Sequence, residues 1–476
     1  MILGIDQGSS HTRAVLFSDH GQKGNPHPRK ITGLAPLSIS YPKPGYVEHD
    51  PKALLKSTFT AIRRALQKSD KKKIVAIGIA TQRSALLLWD SKTGEPLSPV
   101  LSWQDRRTAD TLRQWGSPII QERTGLPLTP YYSATKLSRL LDIVGRKRKH
   151  LAAGTVNTFL IWHLTQGKSH VTDPTHAQRM LLYNIHTGQW DPELLRHFKI
   201  PEAVLPEVLP NQADFGEAII DGYRIPITAS IGDQQSSLIG LGGLHSGAAN
   251  INYGTGGFFL IHTGTQAISL PGLLTSIACA TCADINKTTY LIEGTVNTVG
   301  SLFTWLKQIG VLKSDAEIDA ACRRSKESVF FLPALAGLAA PHWKSDARGV
   351  ISGLTGATKR EDIIRGAVEG IGFRMNDIYQ GVPQVLKQHI KKIIATGGGA
   401  NMASLIQFQA DLFGKTIAVA RDPESTVRGA AFLAGAYAGV TDKTQFHFSP
   451  IQKEITPQMK PNERARRILQ WKGTLD

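Results

Sequence analysis

Two segments of this chain combine glycine and hydroxyl side chains in a pattern that suits phosphate binding. Residues 2–17 read ILGIDQGSSHTRAVLF and residues 250–262 read NINYGTGGFFLIH, so each contains an apolar strand, a turn and a second apolar strand. Glycine in such a turn lets backbone N–H groups point at one anion, and small hydroxyl side chains add donors without blocking its approach. The two turns together predict a protein that grips a polyphosphate from two sides.

Aspartates stand at the ends of two predicted strands. Asp6 lies in the first hairpin, and Asp233 follows the apolar strand at residues 225–231, within the sequence GDQQ. Phosphoryl transfer depends on positioning, a metal ion and one base more than on covalent chemistry. We therefore predict that both carboxylates face the bound polyphosphate and that the chain transfers a phosphoryl group.

The elements that must position these residues alternate between strands and helices. In the first half, apolar residues at helical spacing predict a helix at residues 51–68, and buried strands are predicted at 73–80 and 85–89. A loop at 126–132, rich in Pro and Tyr, precedes a predicted helix at 134–144. This order is typical of an α/β protein.

The second half contains a further strand–glycine–helix unit. A predicted strand at residues 390–395 leads to the glycines at 397–399 and then to a helix at 401–413, which ends at Gly414. A helix N-terminus behind a glycine-rich loop is an anion or nucleotide site. This signal is weak alone and is stronger beside the two phosphate turns.

Both halves of the chain follow one plan, in which a strand, a glycine turn and a second strand precede further strands and helices. We predict two similar α/β lobes, residues 1–240 and 241–476, with a hinge near 237–247 and a cleft between them. In the second lobe, Thr358 and Glu361 have the spacing of a capping box that opens a long helix.

Charge and cysteine content narrow the classes of protein. The chain has 476 residues and a formal net charge of +17. Its basic residues are scattered and no nucleic-acid-binding module occurs, so we expect an anionic small molecule such as ATP rather than nucleic acid. The three cysteines, Cys279, Cys282 and Cys322, are too few for a disulfide framework and indicate a reducing compartment.

Two further patterns have simple interpretations. The spacing of Cys279 and Cys282 occurs in zinc and redox motifs, but no second pair exists to complete a zinc site, so we interpret these cysteines as packing residues. The chain enters a strand at residue 2 without a signal-peptide pattern, and its longest apolar stretch, near 430–440, is too short to span a bilayer. We expect a cytoplasmic protein without a membrane partner.

The motifs of the chain, in their order, resemble those of the FGGY carbohydrate kinases over nearly the whole length. They are DQGSS at 6–10 with Arg13, YPKPGYVEHDP at 41–51, TQR at 81–83, WQDRR at 103–107, VTD at 171–173, GDQQ at 232–235, NYGTG at 252–256 and ARG at 347–349. The resemblance implies two actin-like, ribonuclease H-like α/β lobes, ATP with Mg²⁺, and phosphorylation of a primary hydroxyl of glycerol or a similar small polyol. It also implies a homodimer or homotetramer.

The resemblance assigns roles to both aspartates. Asp233 resembles the family's catalytic base, which accepts the hydroxyl proton as the oxygen attacks the γ-phosphorus. A structural role as a helix N-cap is also open to Asp233, because it lies between a strand and a helix, and both roles can hold together. Asp6 is expected to orient hydrated Mg²⁺, an ion that keeps several waters and needs few carboxylates. The nucleotide-binding residues carried over are Gly8, Ser9, Ser10 and Arg13 in the first turn, Gly254, Thr255 and Gly256 in the second, and Gly300, Gly398 and Asn401 in the adenosine segment.

The acceptor-binding residues implied by the resemblance combine polar groups for the hydroxyls with aromatic rings for the carbon chain. Ser84 departs from the pattern, because family members that act on glycerol carry glutamate there. A hydrogen bond to a charged group is worth about 1.5–3 kcal/mol, so its loss weakens glycerol binding about 10- to 100-fold and leaves room for a longer polyol or a sugar. The acceptor-binding residues that the resemblance implies are Arg83, Ser84, Trp103, Tyr131, Asp233, Gln234 and Phe258.

Other functions stay open at this point. The chain is alternatively a kinase of the same family for another polyol or a ketopentose, such as erythritol or xylulose. An actin-like ATPase without a small acceptor would use the same fold, but it would need no pocket made of Trp103, Tyr131 and Asp233. A second departure is Arg139, which stands where the family has tryptophan three residues after its signature lysine, here Lys136.

Overall fold

The computed structural model describes residues 1–17, 30–67, 69–281, 284–421, 424–441 and 448–473. Contacts within the chain divide it into two units. The first comprises Met1–Gly242, Ser276–Tyr290 and Glu424–Phe448, and the second comprises Gly243–Thr275, Leu291–Pro423 and Ser449–Asp476. Of the two closely spaced cysteines, Cys282 lies outside the described residues and Cys279 is buried.

The strands and helices are numbered in chain order. The strands are β1 (Ile2–Gln7), β2 (His11–Phe17), β3 (Lys30–Pro36), β4 (Glu48–His49), β5 (Ala76–Thr81), β6 (Leu86–Asp90), β7 (Val100–Leu101), β8 (Leu151–Thr155), β9 (Val171–Thr172), β10 (Tyr183–Asn184), β11 (Gln189–Trp190), β12 (Glu207–Val208), β13 (Glu217–Ile220), β14 (Tyr223–Gly232), β15 (Ala249–Tyr253), β16 (Gly257–Gly264), β17 (Leu274–Thr281), β18 (Asp284–Val296), β19 (Phe330–Leu332), β20 (Val350–Ser352), β21 (Ile393–Thr396), β22 (Ile417–Ala420) and β23 (Ile451–Ile455). The α-helices are α1 (Pro51–Leu66), α2 (Pro118–Thr124), α3 (Ser133–Val144), α4 (Val156–Leu164), α5 (Pro174–Ala177), α6 (Pro192–His197), α7 (Asp233–Gly240), α8 (Gly300–Gln308), α9 (Ile318–Arg324), α10 (Arg360–Gln380), α11 (Gln384–His389), α12 (Ala403–Phe413), α13 (Ser425–Tyr437) and α14 (Pro461–Lys472).

The first unit is built on a mixed sheet with the strand order β13-β14-β5-β1-β2-β3. Strand β1 runs antiparallel to β2 and parallel to β5, and β14 also runs parallel to β5. The apolar side chains of β1, β5 and α1 meet in one core that includes Ile5, Ile77 and Ile62. Because β1, β5 and β14 are parallel, their carboxyl ends lie at one edge of the sheet.

Helix α13 belongs to the first unit although it lies late in the chain. It packs on β1 and β5 at two glycines: a Cβ atom at Gly78 would lie 2.0 Å from the backbone oxygen of Ala430, and one at Gly4 would lie 2.6 Å from that of Val427. The boundary predicted at residue 240 assigns this helix, and also residues 276–290, to the second lobe. The structure instead groups both segments with the first unit. The sequence could not indicate this, because a local apolar pattern does not show which sheet a helix covers.

The second unit is built on a sheet with the strand order β17-β18-β16-β15-β21-β22-β23, of which residues 276–290 on β17 and β18 are counted with the first unit. The hairpin β15–β16 is antiparallel, and β15 runs parallel to β21, as β1 runs parallel to β5 in the first unit. The repeated strand–turn–strand plan predicted from the sequence is therefore present in both units. Apolar residues recur at helical spacing along α10, and all of them are buried: Ile364, Val368, Ile371, Met375 and Ile378.

The predicted capping box at Thr358 and Glu361 is wrong by one residue. Helix α10 begins at Arg360, and the carboxylate of Asp362 accepts a hydrogen bond of 2.8 Å from the backbone N–H of Lys359. The hydroxyl of Thr358 instead accepts one of 2.8 Å from the backbone N–H of Thr355, inside the preceding turn. Among the helices described, none combines the length and hydropathy needed to cross a bilayer.

Candidate active site

The carboxyl ends of three parallel strands carry the residues proposed for the chemistry. Asp6 on β1 is in register with Ala80 on β5, and Gly232 at the end of β14 is in register with Thr81. Asp233 follows Gly232 directly and is the first residue of α7. In α/β proteins ligands bind at the carboxyl ends of parallel strands, so this edge of the first sheet is the candidate site.

Asp233 is held by an arginine and by the start of its own helix. Its Oδ1 atom lies 3.3 Å from Arg83 Nε, and the same oxygen accepts a hydrogen bond of 2.8 Å from the backbone N–H of Gln234. A second Arg83 nitrogen donates to Gln235 Oε1 at 3.2 Å. The side chain of Asp233 is 27% exposed and that of Arg83 is 8% exposed, so the carboxylate is fixed yet reachable.

The predicted role of Asp233 as a helix N-cap is wrong. The N-cap of α7 is Gly232, and Asp233 is already within the helix. An N-cap side chain accepts from the N–H groups two or three residues ahead, whereas the Asp233 carboxylate accepts from its immediate neighbour, Gln234. The carboxylate therefore does not serve as the helix cap.

Asp6 sits in an environment that disfavours its negative charge. Burial and the neighbouring charge of Asp233 raise the pKa of Asp6 to about 7, although Arg13, its partner across the hairpin, acts in the opposite direction. A divalent cation at this place would offset both the burial cost and the repulsion between the carboxylates. Among the residues that the structure describes, no group of three or more His, Cys, Asp or Glu side chains could hold a metal ion. A single carboxylate such as Asp6 is compatible with Mg²⁺, an ion that keeps several waters and needs few protein ligands.

The pKa of Asp6 predicts a gain in stability for Asp6→Asn. Because the pKa is raised in the folded state from 3.8 to about 7, the folded protein binds more protons than the unfolded chain between these values, and stability falls as the pH rises through that window. The full shift corresponds to about 4 kcal/mol, and water around the partly exposed carboxylate reduces it, so we expect the variant to be about 2 kcal/mol more stable at pH 8. Thermal unfolding with a chelator present measures this difference.

The matched control for this prediction is Asp110→Asn, which changes an exposed aspartate of the same unit. The advantage of Asp6→Asn should shrink as the pH approaches 4, where wild-type Asp6 is protonated, and Asp110→Asn should show no such trend. A variant that is less stable than the wild type at both pH 8 and pH 4 contradicts the electrostatic account of Asp6.

A buried polar network, which sequence reasoning missed, joins the strands under this site. The carboxylate of Asp173 is fully buried, and it lies 2.7 Å from Ser230 Oγ on β14 and 2.6 Å from His176 Nδ1. The other ring nitrogen of His176 lies 2.8 Å from Thr81 Oγ1 at the end of β5. The signal in the sequence is the VTD motif at 171–173, of which Asp173 is the last residue.

The same network reaches the residue before the candidate base. The hydroxyl of Thr175 accepts a hydrogen bond of 2.8 Å from the backbone N–H of Gly232. Burial alone would raise the pKa of Asp173, but the nearby His176 and the hydrogen bonds from Thr175 and Ser230 outweigh it and lower the pKa. A charged, fully bonded Asp173 thus holds the ends of β5 and β14 in place.

The acceptor-binding residues predicted in the first unit come from separate segments. Trp103 and Tyr131 are neighbours, with ring centroids 6.1 Å apart and ring planes inclined by 39°. Ser84 is buried in the turn after β5 and has a φ of 64°, a left-handed conformation that few residues other than glycine adopt. Gln234 is buried beside Asp233. Phe258, the last member of the set, lies on β16 of the second unit.

The first phosphate turn connects β1 to β2. The backbone N–H of Gly8 donates to the carbonyl of His11 at 3.0 Å, and the hydroxyl of Ser10 lies 3.0 Å from His11 Nδ1. Ser9 and Ser10 lie at the partly exposed tip, and Arg13 follows on β2. The structure therefore places the predicted first-turn residues on one hairpin, in the same unit as Asp6 and Asp233.

The second phosphate turn is bonded to the start of α8. The carbonyl of Gly254 accepts from the N–H of Gly300 at 3.0 Å, and the carbonyl of Thr255 accepts from the N–H groups of Val299 and Ser301 at 3.1 and 3.2 Å. A Cβ atom at position 300 would lie 2.8 Å from the Gly254 carbonyl oxygen. Gly300, predicted beside the adenosine segment, is thus also a structural partner of the second turn.

The adenosine segment lies next to the same turn in the second unit. Gly397 has a φ of 83°, and a Cβ atom there would lie 2.4 Å from the carbonyl oxygen of Tyr253, the residue before the turn. Gly398 and Asn401 are exposed on a short 3₁₀ helix, Gly398–Asn401. The α-helix predicted at 401–413 begins at Ala403 and ends at Phe413, so its predicted end before Gly414 is confirmed. Gly414 caps the helix in the left-handed conformation.

The chain belongs to the FGGY family of carbohydrate kinases. The family's N-terminal domain matches residues 1–240 and its C-terminal domain matches residues 249–438. A glycerol kinase of Rhodopirellula baltica is 39% identical, over 100% of this chain and 90% of the relative. A glycerol kinase of Thermus brockianus is also 39% identical, over 92% of this chain and 90% of the relative. The crystal structure of Plasmodium falciparum glycerol kinase with ADP has a TM-score of 0.89 at 30% identity, covering 100% of this chain and 97% of that one.

These comparisons confirm the family and the two-lobed α/β fold that the motifs implied. Membership also makes the chain an enzyme, a phosphotransferase that acts on an alcohol group. The sequence and the fold agree on this class independently of any one residue in the candidate site.

Proposed function

We propose that this chain is an ATP-dependent kinase that phosphorylates a primary hydroxyl of glycerol or a similar small polyol. With glycerol as acceptor, the products are glycerol 3-phosphate and ADP. The observation that carries the proposal is the Arg83–Asp233 pair at the carboxyl ends of β5 and β14. The full-length similarity to glycerol kinases supports the choice of acceptor.

Asp233 is the proposed general base. Its carboxylate accepts the proton of the acceptor hydroxyl while the hydroxyl oxygen forms a bond to the γ-phosphorus, and the bond between that phosphorus and the bridging oxygen of ATP breaks to release ADP. The ion pair with Arg83 fixes the direction of the carboxylate. Arg83 and Gln234 donate hydrogen bonds to the acceptor's other hydroxyls, and Trp103, Tyr131 and Phe258 pack on its carbon chain.

The glycine turns are the proposed phosphate contacts. Gly8, Ser9, Ser10 and Arg13 contribute from the first unit, and Gly254, Thr255 and Gly256 contribute from the second, with Gly300, Gly398 and Asn401 toward the adenosine. Asp6 is the proposed partner of hydrated Mg²⁺, and the raised pKa of Asp6 is the observation that favours a cation there. When bound, Mg²⁺ would neutralise part of the charge on the transferred phosphate.

Ser84 gives a specific reason to consider acceptors other than glycerol. It is small, neutral and buried, and it occupies the position of a glutamate in family members that act on glycerol. Another polyol or a ketopentose, such as erythritol or xylulose, would use the space that the missing side chain leaves. The catalytic proposal is the same for each of these acceptors.

A panel of acceptors with a coupled assay for ADP tests the proposal. The panel contains glycerol, erythritol, xylitol, ribulose, xylulose and dihydroxyacetone, and it is read as kcat/KM for each. We expect acceptor-dependent release of ADP, with glycerol or a related polyol as the best substrate. Turnover of ATP that ignores every acceptor would contradict the proposal and favour an ATPase.

The assembly and the location follow from the same resemblance. We propose a homodimer or homotetramer that works in the cytoplasm, where ATP and phosphorylated polyols are used. Light scattering coupled to size-exclusion chromatography measures the assembly. A monomer at micromolar concentration would contradict that part of the proposal and leave the catalytic part intact.

A further inference from the structure

The first turn of α3 contacts the backbone of three segments that carry proposed acceptor-binding residues. The hydroxyl of Ser133 donates to the carbonyl of Ser84 at 3.0 Å. The ammonium group of Lys136, one turn later, donates to the carbonyl of Ser102 at 2.9 Å and to that of Tyr131 at 3.1 Å. These three segments are separate in the sequence, and α3 bonds to each of them.

The position of Lys136 disfavours the charged form of its side chain. Its side chain is fully buried, and burial lowers the pKa of Lys136 to about 7, with Asp105 acting against the shift and Arg107 adding to it. The carboxylate of Asp105 is already engaged by Arg107, at 2.8 Å for each of two nitrogens, and by the N–H of Val47 at 2.7 Å. The bonding partners of the buried ammonium are therefore neutral carbonyl oxygens.

A buried cation of this kind is poor evidence for stability. Apolar side chains of similar size often stabilise a core as well or better, because removing a charged group from water is costly. The two carbonyls that Lys136 binds belong to Tyr131 itself and to Ser102, which directly precedes Trp103. The lysine therefore links the backbones of the two aromatic residues whose ring centroids are 6.1 Å apart.

We infer that Lys136 and Ser133 are positioning residues that set the geometry of the acceptor site. Lys136 holds the backbones of Trp103 and Tyr131 so that their rings face a small polyhydroxy ligand at a constant separation. Ser133 holds the turn at Ser84. Neither residue touches the ligand, and the inference rests on the proposed function because it assumes that Trp103 and Tyr131 contact the acceptor.

Lys136→Met tests the inference, because methionine keeps the length of the side chain and removes its donors. We expect the KM for the acceptor to rise about 10-fold, since displacement of binding groups by about 1 Å carries a penalty of this order or more. The KM for ATP should stay within about 2-fold of the wild type, because the hydrogen bonds of Lys136 in the described structure go to Ser102 and Tyr131, which belong to neither phosphate turn. Equal increases in both KM values would show a general structural role and overturn the inference.

Arg146→Met is the matched control at the other end of α3. Arg146 also donates from a cationic side chain to backbone carbonyls, those of Lys199 and, at 3.0 Å, of Ser138, and it pairs with Asp142. Among the described residues, its hydrogen bonds reach none of the three acceptor segments. This variant should leave both KM values unchanged. An increase in the acceptor KM equal to that of Lys136→Met would attribute the effect to α3 as a whole and overturn the inference.

Two more variants keep the test decisive. If Lys136→Met does not fold, Ser133→Ala removes the bond to Ser84 while leaving a good helix former, and it should raise the acceptor KM about 3-fold with the ATP KM unchanged. An unchanged acceptor KM in Ser133→Ala would then overturn the inference. Trp103→Ala separates the two proposals. An unchanged acceptor KM in Trp103→Ala contradicts the proposed acceptor site. A raised acceptor KM in Trp103→Ala, together with an unchanged acceptor KM in Lys136→Met, contradicts the positioning role alone.

Discussion

Asp233→Asn is expected to lower kcat about 1,000-fold while leaving the affinity for ATP within about 2-fold of the wild type. Asparagine has nearly the shape of aspartate, but its amide cannot accept the proton of the acceptor hydroxyl, and general-base catalysis contributes about 10²- to 10⁴-fold. Arg83 keeps its hydrogen bond to Gln235 in the variant, so the site should not collapse. Single-turnover kinetics and a separate nucleotide titration measure the two quantities.

Asp221→Asn is the control for the loss of a carboxylate near β14. Asp221 precedes the amino end of the same strand, its side chain is 37% exposed against 27% for Asp233, and it pairs with Lys71 at 2.6 Å. The control should therefore lose an ion pair of similar exposure without losing activity. Turnover close to normal in Asp233→Asn would remove Asp233 from the role of base and require another acceptor for the proton.

Much of the fold was predictable because short signals specify it. The turns at 8–10 and 254–256 are flanked by apolar strands, and glycine at 414 ends a helix for a reason local to the backbone. The predicted start of α10 is one residue early, because the side chains of Thr358 and Asp362 can both accept hydrogen bonds from nearby backbone groups. In the structure, Thr358 bonds within the preceding turn, and Asp362 bonds at the start of the helix.

What could not be predicted depends on contacts between distant segments. No local pattern shows that α13 covers β1 and β5, because the small residues that allow this contact, Gly4 and Gly78, are informative only once the helix is placed. The role of Asp173 is similar, since its partners Ser230 and His176 become neighbours through the sheet. The sequence indicated candidate substrate-binding groups more readily than the buried residues that hold the strand ends beneath them.

Ser84→Glu is expected to lower the KM for glycerol about 10- to 100-fold if the side chain at this position binds an acceptor hydroxyl. A carboxylate adds a charged acceptor for one substrate hydroxyl, and such a bond is worth about 1.5–3 kcal/mol. The backbone at Ser84 has a left-handed φ of 64°. Serine already carries the Cβ atom that makes this conformation unfavourable, so glutamate adds little backbone strain. Steady-state kinetics over the acceptor panel measure the change for each substrate.

Ser84→Gln separates charge from size at this position. Glutamine fills the same space without a charge, so it should exclude the longer acceptors as Ser84→Glu does but improve glycerol by a smaller factor. Because the buried carbonyl of Ser84 is bonded to Ser133, both side chains start from the same fixed backbone, and the comparison reports on the side chain alone. The opposite outcome is a wild-type enzyme that already prefers glycerol with ordinary efficiency and a Ser84→Glu variant that no longer phosphorylates glycerol well. This outcome would show that Ser84 is adapted to glycerol and that the space beside it does not select a larger acceptor.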